Sequence, residues 1–116
     1  MAEPTNESGL VKVIVTAVKK QYPDSWVMKV HGGPMQVAGI PDLLIVIDGL
    51  LIGAEVKHQK PRESEEHARG RTTAIQHAQM AKIRKAGGVA DTVLSAQETL
   101  ALIERAITIN QEKRNG

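Results

Sequence analysis

The chain has no cysteine and no phenylalanine, and only one tryptophan and one tyrosine. Without cysteine there can be no disulfide, thiolate zinc site, iron–sulfur cluster or cysteine nucleophile. So few aromatic rings argue against a protein that grips single strands by stacking their bases. No apolar run approaches the ~20 residues that cross a bilayer. The opening residues, MAEPTNES, show neither the apolar stretch nor the basic cluster of a secretory signal. A cytoplasmic protein with no membrane partner is expected.

What is present is an ordinary globular composition, 41% hydrophobic and 24% charged over 116 residues. That length suits a single domain, since domains usually run to roughly 100–150 residues. The net charge of +2 conceals an uneven distribution. Between Lys57 and Lys85 there are eight Lys/Arg against three Glu, whereas the rest of the chain has seven basic and ten acidic residues. A basic middle segment suggests a polyanionic partner, or else a solvated charged face.

Hydrophobic spacing divides the chain into seven elements. Leu10, Val11, Ile14, Ala17 and Val18 recur at helical intervals within Glu7 to Gln21, with Pro4, Thr5 and Asn6 before them and Pro23 after. Ser25 to His31 reads as a strand, and Gly32 to Pro41 as a loop. Leu43–Ile47 and Leu50–Val56 flank Asp48-Gly49, the pattern of a hairpin closed by a type I′ turn. Both faces of that hairpin are apolar, so it should be central and covered on both sides. His58 to Arg71 reads as a long polar loop. A helix follows from Thr73 to Ala86, with Ile75, Met80 and Ile83 on its apolar side, and then a strand from Val89 to Leu94. Ser95 to Glu98 is a capping box opening a last helix that carries Leu100, Leu102, Ile103, Ala106 and Ile107. The domain core is expected at about 7–108, with 110–116 a frayed tail.

The hairpin carries an anomaly. With Ile47 opposite Leu50, Asp42 falls opposite Glu55, and Lys57 points to the same side as Glu55. Three charges then share one face of a strand pair built otherwise of Leu, Ile, Val, Ala and Gly. Opposed carboxylates repel, and burial raises the cost unless something neutralises them. A divalent cation would do so through hard oxygen ligands. A buried ion triad closed by Lys57 is the structural alternative, though it leaves net negative charge on an apolar sheet. Glu7 lies on the inward stripe of the first helix, or is simply a first-turn glutamate favoured by the helix dipole. Gln76 either serves the site or closes a capping box with Thr73. Of the four histidines, His31 stands near the loop leading to Asp42 and within reach of a phosphate, His58 should point to the face opposite Lys57, and His67 and His77 lack ligand-like spacing; each reads first as a surface or packing residue.

Gly39-Ile-Pro-Asp42 followed by Glu55-Val-Lys57 resembles the PD-(D/E)xK nuclease motif. More closely, the chain resembles a stand-alone VRR-NUC domain from about Glu7 to Ile103. The likeness includes Glu7, Gly39, Pro41 and Asp42, the Glu55-Val56-Lys57 strand, Gly70-Arg71, Gln76 and the Gly87-Gly88 helix end. It implies an α/β, PD-(D/E)xK nuclease-like core in the order α-β-β-β-α-β-α, with a mixed central sheet flanked by helices. It also implies Mg²⁺ or Mn²⁺ held by Asp42, Glu55 and the Val56 carbonyl, with Glu7 as an outer ligand. Lys57 would position the attacking water and Gln76 would support the lysine or the phosphate.

The reaction implied is hydrolysis of DNA phosphodiesters, with a homodimer acting on branched DNA such as four-way junctions. Lys60, Arg62, Arg69 and Arg71 flank the motif and are expected to contact DNA phosphates. The acidic run Glu63, Glu65, Glu66 would repel phosphate, so it is expected to point away from the DNA or to be mobile. Other readings are a nuclease for flap or other branched DNA, a nuclease-like fold that only binds DNA, and an accessory protein whose polar hairpin serves a protein interface.

Overall fold

The computed structural model describes residues 3–33 and 37–116. Its elements are α1 (Glu7–Gln21), β1 (Trp26–Lys29), β2 (Leu43–Ile47), β3 (Leu50–Val56), α2 (Glu65–Gly70), α3 (Ala74–Lys85), β4 (Val89–Val93) and α4 (Ala96–Asn115). The four strands form one mixed sheet in the order β1-β2-β3-β4, antiparallel except for the parallel β3–β4 pair. No helix among the described residues is long and apolar enough to cross a membrane.

The expected order is present, with one addition. The segment expected to be a loop from His58 to Arg71 contains the short helix α2, capped by Ser64, whose hydroxyl accepts the His67 N–H. Ser followed by two glutamates is a helix-start signal that the surrounding charge and the nearby Pro61 obscured. Two boundaries also move. The first strand is shorter than Ser25–His31, although the Val30 N–H still donates to the Asp42 carbonyl at 2.9 Å. The residues expected to be a frayed tail continue α4 to Asn115, with solvent-exposed side chains from Gln111 onward. Part of the expected loop from Gly32 to Pro41, residues 34–36, lies outside the described residues.

The hairpin register follows from its turn. Asp48 and Gly49 both have positive φ, 51° and 77°, as a type I′ turn requires, and Ile47 pairs with Leu50. Alternation then sorts the side chains. Leu43, Ile45 and Ile47 of β2 join Ile52, Ala54 and Val56 of β3 in one core with Leu10, Val11, Ile14 and Val18 of α1 and Leu102, Ile103 and Ala106 of α4. The opposite face, which includes Gly53 and Glu55, is covered by α3. An added Cβ on Gly53 would lie 3.0 Å from Pro41 and 3.2 Å from Ile83. Met80 is the fully buried residue of α3. Ile75, expected on the apolar side of that helix, is instead 56% exposed, because it sits in the first turn, where α3 meets the loop before Asp42.

That loop is held by a close approach. Gly39 has φ +84°, and a Cβ there would come within 2.5 Å of Ile75 Cγ2 and 2.7 Å of the Ile75 carbonyl oxygen. The left-handed backbone costs an L residue roughly 1–2 kcal/mol, and the main-chain clash adds to it. Gly39→Ala is therefore expected to destabilise the protein by about 2 kcal/mol or more. Urea denaturation checks this; an unchanged midpoint would show that the loop does not need glycine.

Candidate active site

Asp42 enters the site as the residue before β2, and Glu55 as the penultimate residue of β3. The register places them opposite one another, one step beyond the Leu43–Ala54 pair. The Asp42 carboxylate bridges the strands where the ladder ends: its Oδ2 accepts the Val56 N–H at 2.8 Å. Lys57, two residues beyond Glu55, brings its Nζ to 3.3 Å from Glu55 Oε2. The three charges expected on one face of the hairpin are thus together.

Glu55 is 1% exposed, and its Oε1 has no hydrogen-bond partner. A buried carboxylate oxygen without a donor costs on the order of 1–3 kcal/mol, and the side chain placed to share a proton with this carboxyl is that of Asp42. Its carboxyl is pushed up to about 8, first by burial, then by the negative charge of Asp42; Lys57 pulls the other way. With Glu55 protonated, Asp42 and Lys57 balance one another; once Glu55 ionises, one lysine faces two acids and the triad is short of one positive charge. Two adjacent carboxylates are hard oxygen donors of the kind a small divalent cation takes.

The rest of the expected site is distributed differently. Glu7 was expected to face inward beside the two acids. Its side chain is 46% exposed, and its Oε1 accepts from Arg71 Nη1 at 3.1 Å. It sits in the first turn of α1, where that helix's apolar stripe has not yet reached the sheet. Among the described residues no three His, Asp or Glu side chains converge on a metal position. Gln76 closes the capping box: its side-chain oxygen accepts the Thr73 N–H at 2.9 Å and its own N–H donates to Thr73 Oγ1. Only its amide NH₂ is left to meet a substrate.

The four basic residues divide into two pairs. Lys60 and Arg62 are exposed and form no ion pair among the described residues. Arg69 is turned to the far side of the β3–β4 pair, where it donates to Glu98 at 2.5 Å and to the Thr92 carbonyl at 3.4 Å. Arg71 is enclosed by acceptors. Its Nε and Nη2 grip both Glu63 oxygens at 2.8 and 2.9 Å, and Nη2 also reaches the His58 carbonyl. Arg69 and Arg71 are therefore both ion-paired, although 39% of the Arg69 side chain remains exposed.

Glu63 was expected to point away from the site with Glu65 and Glu66. Its side chain is instead only 5% exposed, taking Arg71, the Lys60 N–H and His67, and these donors hold its carboxyl far below the usual range. Sequence reasoning missed this anchor because its main partner is eight residues away across a helix. Of the histidines, His58 meets the Pro4 carbonyl at 2.9 Å and His67 meets Glu63.

With this geometry established, comparison with solved structures gives a match to a chain titled "VRR_NUC domain". The two are 23% identical, the match covers 78% of this chain and 90% of that one, and the TM-score is 0.50. No protein-family model and no curated protein matches the chain. At that identity the likeness establishes the fold: this protein has the mixed α/β fold of a VRR-NUC domain.

The raised Glu55 carboxyl has a consequence for stability. The unfolded chain releases this proton near pH 4.5, whereas the folded protein keeps it until about pH 8. Between those values the native state binds more protons, so stability should decline as pH rises across the window and level off above it. Thermal melts in chelator at pH 4.5 to 8.5 should show that decline, and Glu55→Gln should remove most of it. A variant that keeps the wild-type slope would assign the pH dependence to other groups.

Proposed function

We propose that this protein is a metal-dependent endodeoxyribonuclease of the PD-(D/E)xK type. The observation that carries the reading is the buried Asp42–Glu55 pair with Lys57 beside it and one Glu55 oxygen left without a donor. The VRR-NUC fold supports it. Asp42, Glu55 and the Val56 carbonyl would hold Mg²⁺ or Mn²⁺. Such an ion supplies a water of lowered pKa and draws charge from a phosphoryl oxygen. Lys57, held against Glu55, orients the attacking water and stabilises charge developing on the phosphate. The Gln76 NH₂ supports the lysine or the phosphate. Lys60 and Arg62 contact the DNA backbone, which fixes position without reading sequence.

A protein that binds DNA without cutting it has less support, because Asp42, Glu55 and Lys57 are all present and adjacent. An accessory role in which the polar hairpin serves a protein interface is disfavoured by the burial of Glu55 and Lys57.

Cleavage should require Mg²⁺ or Mn²⁺ and cease in chelator. Lys57→Ala should reduce cleavage at least ~100-fold, the scale of an electrostatic contact to the reacting group, while the circular dichroism spectrum stays native. It should also push the Glu55 carboxyl further up, since Lys57 is the group that lowers it. Cleavage in chelator, or a Lys57→Ala protein that cuts at the wild-type rate, would contradict the mechanism.

The form inferred is a homodimer acting on branched DNA, most directly a four-way junction. One chain carries one site, symmetric cleavage needs two, and a two-fold axis supplies the second. The sheet supports this: β1 is an edge strand, with Trp26 and Met28 exposed on one side of it. An edge bearing apolar side chains is a surface suited to pairing with another strand. Light scattering at micromolar concentration should give about twice the 12.6 kDa chain mass, and junctions should be cut in preference to linear duplex. A monomer without that preference would overturn the dimer while leaving the nuclease reading in place.

A further inference from the structure

Arg71 lies next to the candidate site, yet its guanidinium is committed elsewhere. Of the five N–H donors a guanidinium offers, two go to Glu63, one more to the His58 carbonyl and one to Glu7. Glu63 is itself nearly buried and is fixed by the Lys60 N–H and His67. A guanidinium gripped by both oxygens of a buried carboxylate is a poor phosphate ligand, because a phosphate would have to displace a preorganised bidentate partner.

The position of the clamp suggests its purpose. β3 ends at Val56, and beyond it the chain from Lys57 to Lys60 has no regular structure. The Lys57 N–H still donates to the Val93 carbonyl at 3.0 Å, the last tie to β4. The next carbonyl, that of His58, is the one Arg71 takes at 2.5 Å. Thr72, the neighbour of Arg71, hydrogen-bonds through its hydroxyl to Thr92 at 2.8 Å, and Thr92 is the residue paired with Glu55 across β3–β4. Arg71-Thr72 therefore touches the main chain just past Lys57 and the residue beside Glu55. Where the sheet ladder ends, this dipeptide replaces it.

We propose that Arg71, locked by Glu63, is a positioning residue for Lys57 rather than a phosphate contact. By holding the His58 carbonyl it fixes the main chain from which the lysine reaches Glu55. A lysine has four rotatable side-chain bonds, and small displacements of catalytic groups are costly in rate. The proposal rests on the nuclease reading for the role of Lys57, whereas the clamp itself can be tested without it.

The experiment compares Arg71→Gln, Glu63→Gln and the double variant with wild type on junction DNA, together with amide hydrogen exchange. Each single variant should lower kcat by about 10–100-fold, the usual cost of losing an outer-shell partner, with KM and salt dependence unchanged. The double variant should be no worse than the singles, since both break one unit. Exchange should quicken in all three at Lys57, whose N–H is held by the Val93 carbonyl. Arg71→Lys keeps the charge but not the two-pronged grip and should show the same loss of kcat alone; it serves if Arg71→Gln does not fold.

A phosphate contact predicts the opposite pattern. Arg71→Gln would then raise KM and flatten the salt slope by about one, and Glu63→Gln would tighten DNA binding by freeing the arginine. That result, or unaltered exchange at Lys57, overturns the proposal. A wild-type protein that cuts no DNA overturns the nuclease reading, and the exchange result still decides whether the clamp exists.

Discussion

The structure is organised around a repulsion. A two-residue turn at Asp48-Gly49 sets the register of the central hairpin, and that register forces Asp42 and Glu55 into opposition at its far end. Placed between helices in the middle of a sheet, two carboxylates cannot both be charged without compensation. The protein responds in three ways: a main-chain donor from Val56 to Asp42, a lysine against one Glu55 oxygen, and a proton affinity raised by burial and by the neighbouring acid. When both acids are ionised, no donor reaches the other Glu55 oxygen. A fold that keeps such a pair at the end of its central hairpin gives up stability there, as functional sites commonly do.

The surrounding elements can be read as support for that pair. Gly39 lets the loop before Asp42 lie against the start of α3, and Gly53 lets Pro41 and Ile83 close over β3. The Glu63–Arg71 ion pair fixes the chain that leaves β3, and the Thr72–Thr92 hydrogen bond secures the strand next to Glu55. The basic middle of the chain therefore has two uses. Arg69 and Arg71 are spent on ion pairs within the chain, while Lys60 and Arg62 form none among the described residues.

How much of this was legible in the sequence depended on how local the cause was. Asp-Gly between apolar runs specifies a turn, the turn specifies a register, and the register locates Asp42, Glu55 and Lys57 without reference to the rest of the molecule. The caps at Thr73 and Ser95 were legible for the same reason. Glu7 was misplaced because helical periodicity gives a direction around the axis but not where along it the sheet begins. The segment from His58 to Arg71 was misread because its order comes from contacts across eight or more residues, from Arg71 to Glu63 and to Glu7. Net charge counts such residues as solvated, and only the fold shows which charges are spent on one another.

The central claim is that Asp42 and Glu55 form a centre completed by a divalent cation. Calorimetric titration of the protein with Mn²⁺ at pH 7, in buffers of different ionisation enthalpy, measures binding and proton release together. With the Glu55 carboxyl pushed up to about 8, it is mostly protonated at pH 7, and a cation binding its oxygens must expel that proton. One strong site per chain is expected, with release of a proton on binding, both lost in Glu55→Gln. Binding without proton release, or binding that survives in Glu55→Gln, would contradict it.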